Sequence, residues 1–325
     1  MPGTEELLIV GAGGFARETA QAVRDVSAAD MARGRAPRWR VAGHLDDDPA
    51  LHGREVDGVP VLGGCERVHE LSDARVVVCV GSPRDYAVRA RLVRRLGLPV
   101  HRYATVVHPT AVVSESSTLG VGSVLLAHCV LTAAVRVGAH VAVMPQVVLT
   151  HDDTVGDFAT LASGVRLGGG VRLGRGAYVG AGSLVREYTQ VGAWSLTGMG
   201  STVLADVPPG EVWAGSPARR LRGAGGPALD ELARESREAR DATASGDSDQ
   251  TNRPGRPEAR TPEAGVAEAR PPEPGTTEAR TPGPGTTEAR TPGPGASASR
   301  TPGPGASASR TPDTRPESRM GSPVI

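Results

Sequence analysis

The sequence predicts a two-domain protein: an α/β Rossmann-like domain in front of a left-handed parallel β-helix, with a disordered tail behind. Three observations predict it. An aliphatic residue recurs every sixth position over a long uninterrupted run, a glycine-rich turn follows a buried strand near the N-terminus, and the last part of the chain is a low-complexity repeat. The boundaries read as residues 1–103 for the α/β domain, 104–222 for the β-helix, 223–243 for a short helix or linker and 244–325 for the tail.

The N-terminal element order is βαβ. Glu6–Val10 reads as a buried strand, Gly11–Glu18 as a glycine turn running into a helix through about Val26, and Val41–Leu45 as a second strand that ends in Asp46-Asp47-Asp48. Arg75–Val80 is a third strand, closed by Gly81-Ser82-Pro83 and followed by a helix over roughly Asp85–Leu96. In such parallel sheets ligands bind at the carboxyl ends of the strands, and a helix N-terminus behind a glycine turn favours a phosphate. The string G-x-G-x-x-A leaves three readings open: a nicotinamide dinucleotide, a nucleotide-sugar phosphate, or a structural turn. A dinucleotide site wants its ribose acid about twenty residues on, but Asp46 comes about thirty after Ala16.

From Val107 to Val203 every sixth residue is Leu or Val except Thr197, and the register never slips. The residue two before each is small or β-branched, as at Ala111, Ser123, Cys129, Val147 and Ser183; Asp153 breaks the pattern. Alternation sends these two side chains inward. Three flat faces make an 18-residue coil, and stacked coils pair as parallel strands about 4.8 Å apart. Glycine just after the aliphatic, at Gly120, Gly138, Gly156, Gly174 and Gly192, is expected to supply the torsions of the bend. A narrow prism has little room for rings, which fits an aromatic content of 3%. The open C-terminal end needs a cap, expected from Val207–Arg222, with Ala228–Arg240 as a helix beside it.

Lys plus Arg equals Asp plus Glu at 36 each, so charge gives no sign of nucleic acid or an anionic membrane as partner. The absence of a basic leader and of a bilayer-length apolar run predicts a soluble cytoplasmic protein. Cys65, Cys79 and Cys129 are scattered, as suits a reducing compartment, and Cys129 falls on an inward small site, where it reads as core. Five decapeptides from Thr261 to Arg310, TPEAGVAEAR through TPGPGASASR, carry Pro and Gly at fixed places and nothing apolar to build a core.

Four histidines lie in the β-helix: His108, His128, His140 and His151. Imidazole suits acyl transfer to an amine or hydroxyl because it titrates near neutrality, and a neighbouring carboxylate fixes its tautomer. Spacing alone leaves each of them either a base or an exposed surface side chain. A metal site would need three of them to meet, and His128, His140 and His151 are not spaced by whole coils. A non-catalytic sugar-nucleotide scaffold is a further reading.

The stretch Thr150-His151-Asp152-Asp153-Thr154-Val155-Gly156-Asp157-Phe158, with Gly11–Phe15, Leu45-Asp46-Asp47 and Trp213–Ala218, resembles a group of hexapeptide transferases, the sialic acid O-acetyltransferases and UDP-sugar N-acetyltransferases of NeuD/PglD type. The resemblance spans about residues 6–222. It implies an acetyl-CoA-dependent acetyltransferase with no metal, working on a sugar or nucleotide sugar by direct transfer. His151 would be the general base and Asp152 its tuning acid, with the Gly169 N–H near the thioester carbonyl. Coenzyme A would lie between neighbouring prisms of a homotrimer, near Thr160, Ala181 and Met199, and Gly13, Gly14, Phe15, Asp46, Asp47 and Gly81 would match the sugar-nucleotide positions. Two departures stand out. Thr160 occupies a place where some members carry a second histidine, and Phe15-Ala16 replaces a His-Gly pair.

Overall fold

The computed structural model describes residues 4–246. The decapeptide repeats and the rest of the tail from residue 247 on lie outside the described residues.

Strands β1 (Glu5–Val10), β2 (Trp39–Leu45), β3 (Glu55–Val56), β4 (Val59–Gly63) and β5 (Arg75–Val78) form one sheet in the order β3-β4-β2-β1-β5. β1, β2, β4 and β5 run parallel; β3 is antiparallel to β4. Leu7–Val10 are fully buried because helices α1 (Gly14–Ala32) and α2 (Val88–Leu96) accompany the sheet. α1 continues beyond the expected end near Val26. α2 starts at Val88 rather than Asp85, since Ser82 and Asp85 first close a tight turn. The hairpin β3–β4 was not read from the sequence. Its turn is Asp57-Gly58, both left-handed at φ 49° and 74°, the geometry that such a dipeptide favours.

Two-residue strands β6 (Val106–Val107) through β22 (Thr202–Val203) follow every six residues, each ending on its inward position, aliphatic in all but β21 (Leu196–Thr197). Each pairs in parallel with the strand one coil on, as in Leu131 with Leu149 and Val137 with Val155. The three faces stack into a parallel β-helix whose interior is a continuous aliphatic column. The sequence reading of its bends needs correction. Every sixth residue from Gly122 to Gly200 has φ between 54° and 76°, and these lie three after the aliphatic, not one after it. Histidine, aspartate and even Trp194 accept that corner. The glycines just after the aliphatic serve close stacking instead: a Cβ on Gly120 would fall 2.3 Å from the Gly138 backbone, and one on Gly174 2.4 Å from Ala193 N.

The C-terminal end is closed by the hairpin β23 (Glu211–Gly215) and β24 (Ala218–Gly223), which extends one face beyond β21 (Leu196–Thr197). Helix α3 (Gly226–Gly246) runs past the expected boundary at 243/244. It also meets that cap: a Cβ on Gly210 would lie 3.0 Å from the side chains of both Leu229 and Leu232. Ala228 and Leu232 pack with Tyr86, Ala90, Phe158 and Trp194, so α3 braces the α/β domain against one corner of the prism. Its buried Glu231 takes both ends of the Arg94 guanidinium at 2.6 and 3.0 Å, and Glu235 accepts from Trp194 Nε1 at 3.0 Å. No helix among the described residues is long and apolar enough to cross a membrane.

Candidate active site

The turn after β13 (Val148–Leu149) carries Thr150, His151 and Asp152 at a corner of the prism. Asp152 takes the left-handed position of that turn, φ 63°, a conformation aspartate tolerates better than most residues. Its carboxylate faces back to His151, Nδ1 to Oδ2 2.9 Å. A carboxylate only accepts, so Nδ1 carries the proton and Nε2 keeps its lone pair. The ring is exposed and lies on the backbone of Gly169, one coil on. A Cβ at 169 would sit 2.4 Å from both Cε1 and Nε2. The N–H groups of Gly168 and Gly170 bond to Val185 and His151 carbonyls, whereas that of Gly169 has no partner among the described residues. A base with a free lone pair and an unspent backbone donor thus share one corner.

The other histidines are differently used. His108 pairs with Asp25 at 3.1 Å, and His128 is exposed with no carboxylate of the described residues at its ring. His140 is buried at the domain junction, stacked on Phe158 and edge-on to Tyr103; burial, then the charge of Arg89, pushes it down to about 4. His128, His140 and His151 follow strands of three different faces, so one chain does not bring them together. Among the described residues no three His, Cys, Asp or Glu lie close enough to hold a metal ion. Cys129 is fully buried and its thiol pushed up to about 11 by that burial, in keeping with core.

A cleft of about 280 Å³ opens between the α/β domain and the outer surface of one face. Phe15, Gly81, Thr160 and Ala181 all line it, so two expected sugar-nucleotide positions meet two expected coenzyme positions there. Met199 stands one coil beyond Ala181 at the same corner, 78% exposed. Gly13 caps α1 and Gly14 opens it, both exposed at the sheet's carboxyl edge. Asp46 braces this turn, accepting Ala12 N–H at 2.8 Å and Asp48 N–H at 3.0 Å. Asp47 accepts Cys65 N–H at 2.9 Å and pairs with Arg95 at 2.7 Å, which hold its carboxyl below the usual range. The corner bearing Ala181 and Met199 precedes, and the corner bearing His151 follows, the next face of the prism. Within one chain, base and cleft are on different edges.

Nothing in the chain's pattern singles out Arg89, which reads as one more polar residue of an amphipathic helix. It is buried, reaches out of α2 to the outer side of the prism, and donates to the carbonyls of Val80, His140, Phe158 and Ala159 and to Thr160 Oγ1. No carboxylate among the described residues pairs with it, and burial pushes it down to about 10.

A Rossmann-like domain set on a hexapeptide β-helix, with an acid-backed imidazole at a prism corner, defines an acyltransferase of the hexapeptide-repeat class. Residues 6–96 match the PglD N-terminal domain family. No curated protein matches the chain. Among solved structures, the acetyltransferase domain of PglB from Neisseria gonorrhoeae FA1090, in complex with acetyl coenzyme A, is 29% identical at TM-score 0.57, covering 67% of this chain and 100% of its own. PerB from Caulobacter crescentus, in complex with CoA and GDP-perosamine, is 29% identical at TM-score 0.56, covering 66% of this chain and 97% of its own. WeeI from Acinetobacter baumannii AYE, 24% identical at TM-score 0.55 over 67% of this chain and all of its own, shares the fold. The chain is an acyltransferase, similar over its N-terminal domain to the PglD family and over both domains to PglB and PerB.

Proposed function

We propose that the protein moves an acetyl group from acetyl-CoA to an amine or hydroxyl of a sugar, most simply the amine of a nucleotide-linked amino sugar. The observation that carries this is the corner shared by His151, Asp152 and the unpaired N–H of Gly169. PglB solved with acetyl-CoA and PerB solved with CoA and GDP-perosamine support donor and acceptor class.

In this reading His151 Nε2 takes the proton of the acceptor as its nitrogen or oxygen attacks the thioester carbon. The carbonyl becomes an oxyanion that accepts the Gly169 N–H, a backbone donor with no other partner among the described residues. Collapse breaks the carbon–sulfur bond, and the proton on Nε2 passes to the departing thiolate. No acetyl-enzyme forms. Asp152 holds the Nδ1 proton and steadies the imidazolium between the two transfers.

Base and cleft on different edges of one prism favour a homotrimer, in which the His151 corner of one copy faces the Ala181 corner of the next. Three free, buried cysteines suit a reducing cytoplasm. The test is release of free coenzyme A thiol over a panel of nucleotide-linked amino sugars and sialic acids. His151→Ala should lower turnover by at least about 100-fold. If no acceptor releases thiol, or if His151→Ala turns over at the full rate, the reading is wrong.

A further inference from the structure

Asp153 occupies an inward site of the prism that the six-residue pattern reserves for small or β-branched residues. Its neighbours in the column, one coil before and after, are Val135 and Val171, and all three are fully buried. Burial pushes the carboxyl up to about 7 despite two backbone N–H donors that favour its charge. The coil has no general need of an acid there. At Val165 and Ala177 the corresponding N–H closes its own turn, on Ala162 and Gly174.

A second irregularity lies beside it. Along the prism the residue after each aliphatic donates its N–H to the aliphatic carbonyl one coil on: Thr132 to Leu149, Met144 to Leu161, Gly168 to Val185. Thr150 does not. Its N–H turns to Asp153 Oδ2 at 2.8 Å, and its hydroxyl takes over the Leu167 carbonyl at 3.0 Å. β13 accordingly meets β16 (Arg166–Leu167) through the single pair Val148–Arg166, whereas β10 (Val130–Leu131) meets β13 through two. Asp153 Oδ1 meanwhile accepts the Val171 N–H at 2.8 Å. One carboxyl therefore holds both the peptide that precedes His151 and the turn that contains Gly169.

We infer that Asp153 is a positioning residue for acyl transfer. It rotates the peptide before His151 out of the ladder and ties that turn to the next, setting the spacing between imidazole and the Gly169 amide. This rests on the roles proposed above for those two residues. A valine in its place would complete the Val135–Val171 column and let the Thr150 N–H return to Leu167. The acid thus costs the prism stability and serves the corner.

The experiment compares Asp153→Val, Asp153→Ser and Asp153→Asn with wild type and His151→Ala, reading thermal unfolding, kcat, and KM for donor and acceptor. Serine copies the bonding of Ser123, which accepts the Val141 N–H and donates to the Gly138 carbonyl, and stands in should the valine variant not fold. The expected result is an unchanged or higher melting temperature with kcat down about 100-fold, both KM values within about twofold, and Asp153→Asn in between. A crystal structure of the valine or serine variant should show Thr150 N–H on the Leu167 carbonyl. That readout stands without any assay. Turnover within about threefold of wild type, beside an inactive His151→Ala, overturns the positioning role alone. So does a Thr150 N–H that stays off the ladder, or a loss of kcat that merely tracks a fall in melting temperature. Full turnover in His151→Ala instead overturns the reading of the site.

Discussion

The imidazole of His151 rests on the backbone of Gly169, one coil away, with no room for a methyl group between them: a Cβ at 169 would lie 2.4 Å from Nε2. The contact sets where the ring can stand relative to the Gly169 N–H, which has no partner among the described residues. Gly169 has ordinary torsions, so the demand for glycine here is one of space. Gly169→Ala should fold and bind substrates while displacing the ring by roughly an ångström, with turnover falling about 100-fold. Steady-state kinetics with a melting curve check this; an alanine variant at wild-type turnover would contradict it.

Arg89 should prove a structural cation of the domain junction. Its guanidinium serves four carbonyls and the Thr160 hydroxyl from a buried position. Arg89→Met leaves the Val80, His140 and Phe158 carbonyls without that donor, while Ala159 keeps the Ala142 N–H, and should destabilise the fold by about 3 kcal/mol. Arg89→Lys should not restore it, because an ammonium cannot present the planar fork. Calorimetry on both variants is the measurement.

His140 gives the junction a pH dependence. Buried between Phe158 and Tyr103 it is held neutral, pushed from 6.5 to about 4. The unfolded chain therefore binds a proton that the folded chain refuses. Stability from this group is fully present above about 6.5 and is lost as the pH falls through that value toward 4. His140→Asn, which tolerates the left-handed backbone at φ 55°, should flatten denaturant-derived stability over that window. An unaltered slope would assign the dependence elsewhere.

Glu231 ties α3 to α2. Burial disfavours its charge, but the guanidinium groups of Arg94 and Arg234 outweigh that and hold it below the usual carboxylate range. Glu231→Ala should cost about 1–2 kcal/mol, since Arg94 is half-exposed and can turn to water. Urea unfolding of the variant reads the change directly.

The β-helix was legible because its contacts repeat at one fixed separation. A residue meets the one eighteen further on, as Leu131 meets Leu149, so the inward aliphatic must recur in phase along the chain. The same arithmetic assigns His128, His140 and His151 to different corners. The hairpin at Asp57-Gly58 was signalled too, by its turn dipeptide, though its strands are too short to show alternation. Asp153 showed only as an exception to the pattern. What it does there depends on which N–H it draws from the ladder.

By itself the sequence determined the period, the inward column, the βαβ order and the acid-flanked histidine, because each is a local or regularly repeated relation between residues. Only the tertiary structure decided that Arg89 reaches the prism's corner carbonyls, that α3 braces the domain junction as well as meeting the capped end of the coil, and that His151 and the cleft sit on different edges. Those outcomes come from non-repeating surfaces meeting once. Such a meeting leaves no periodic trace along the chain.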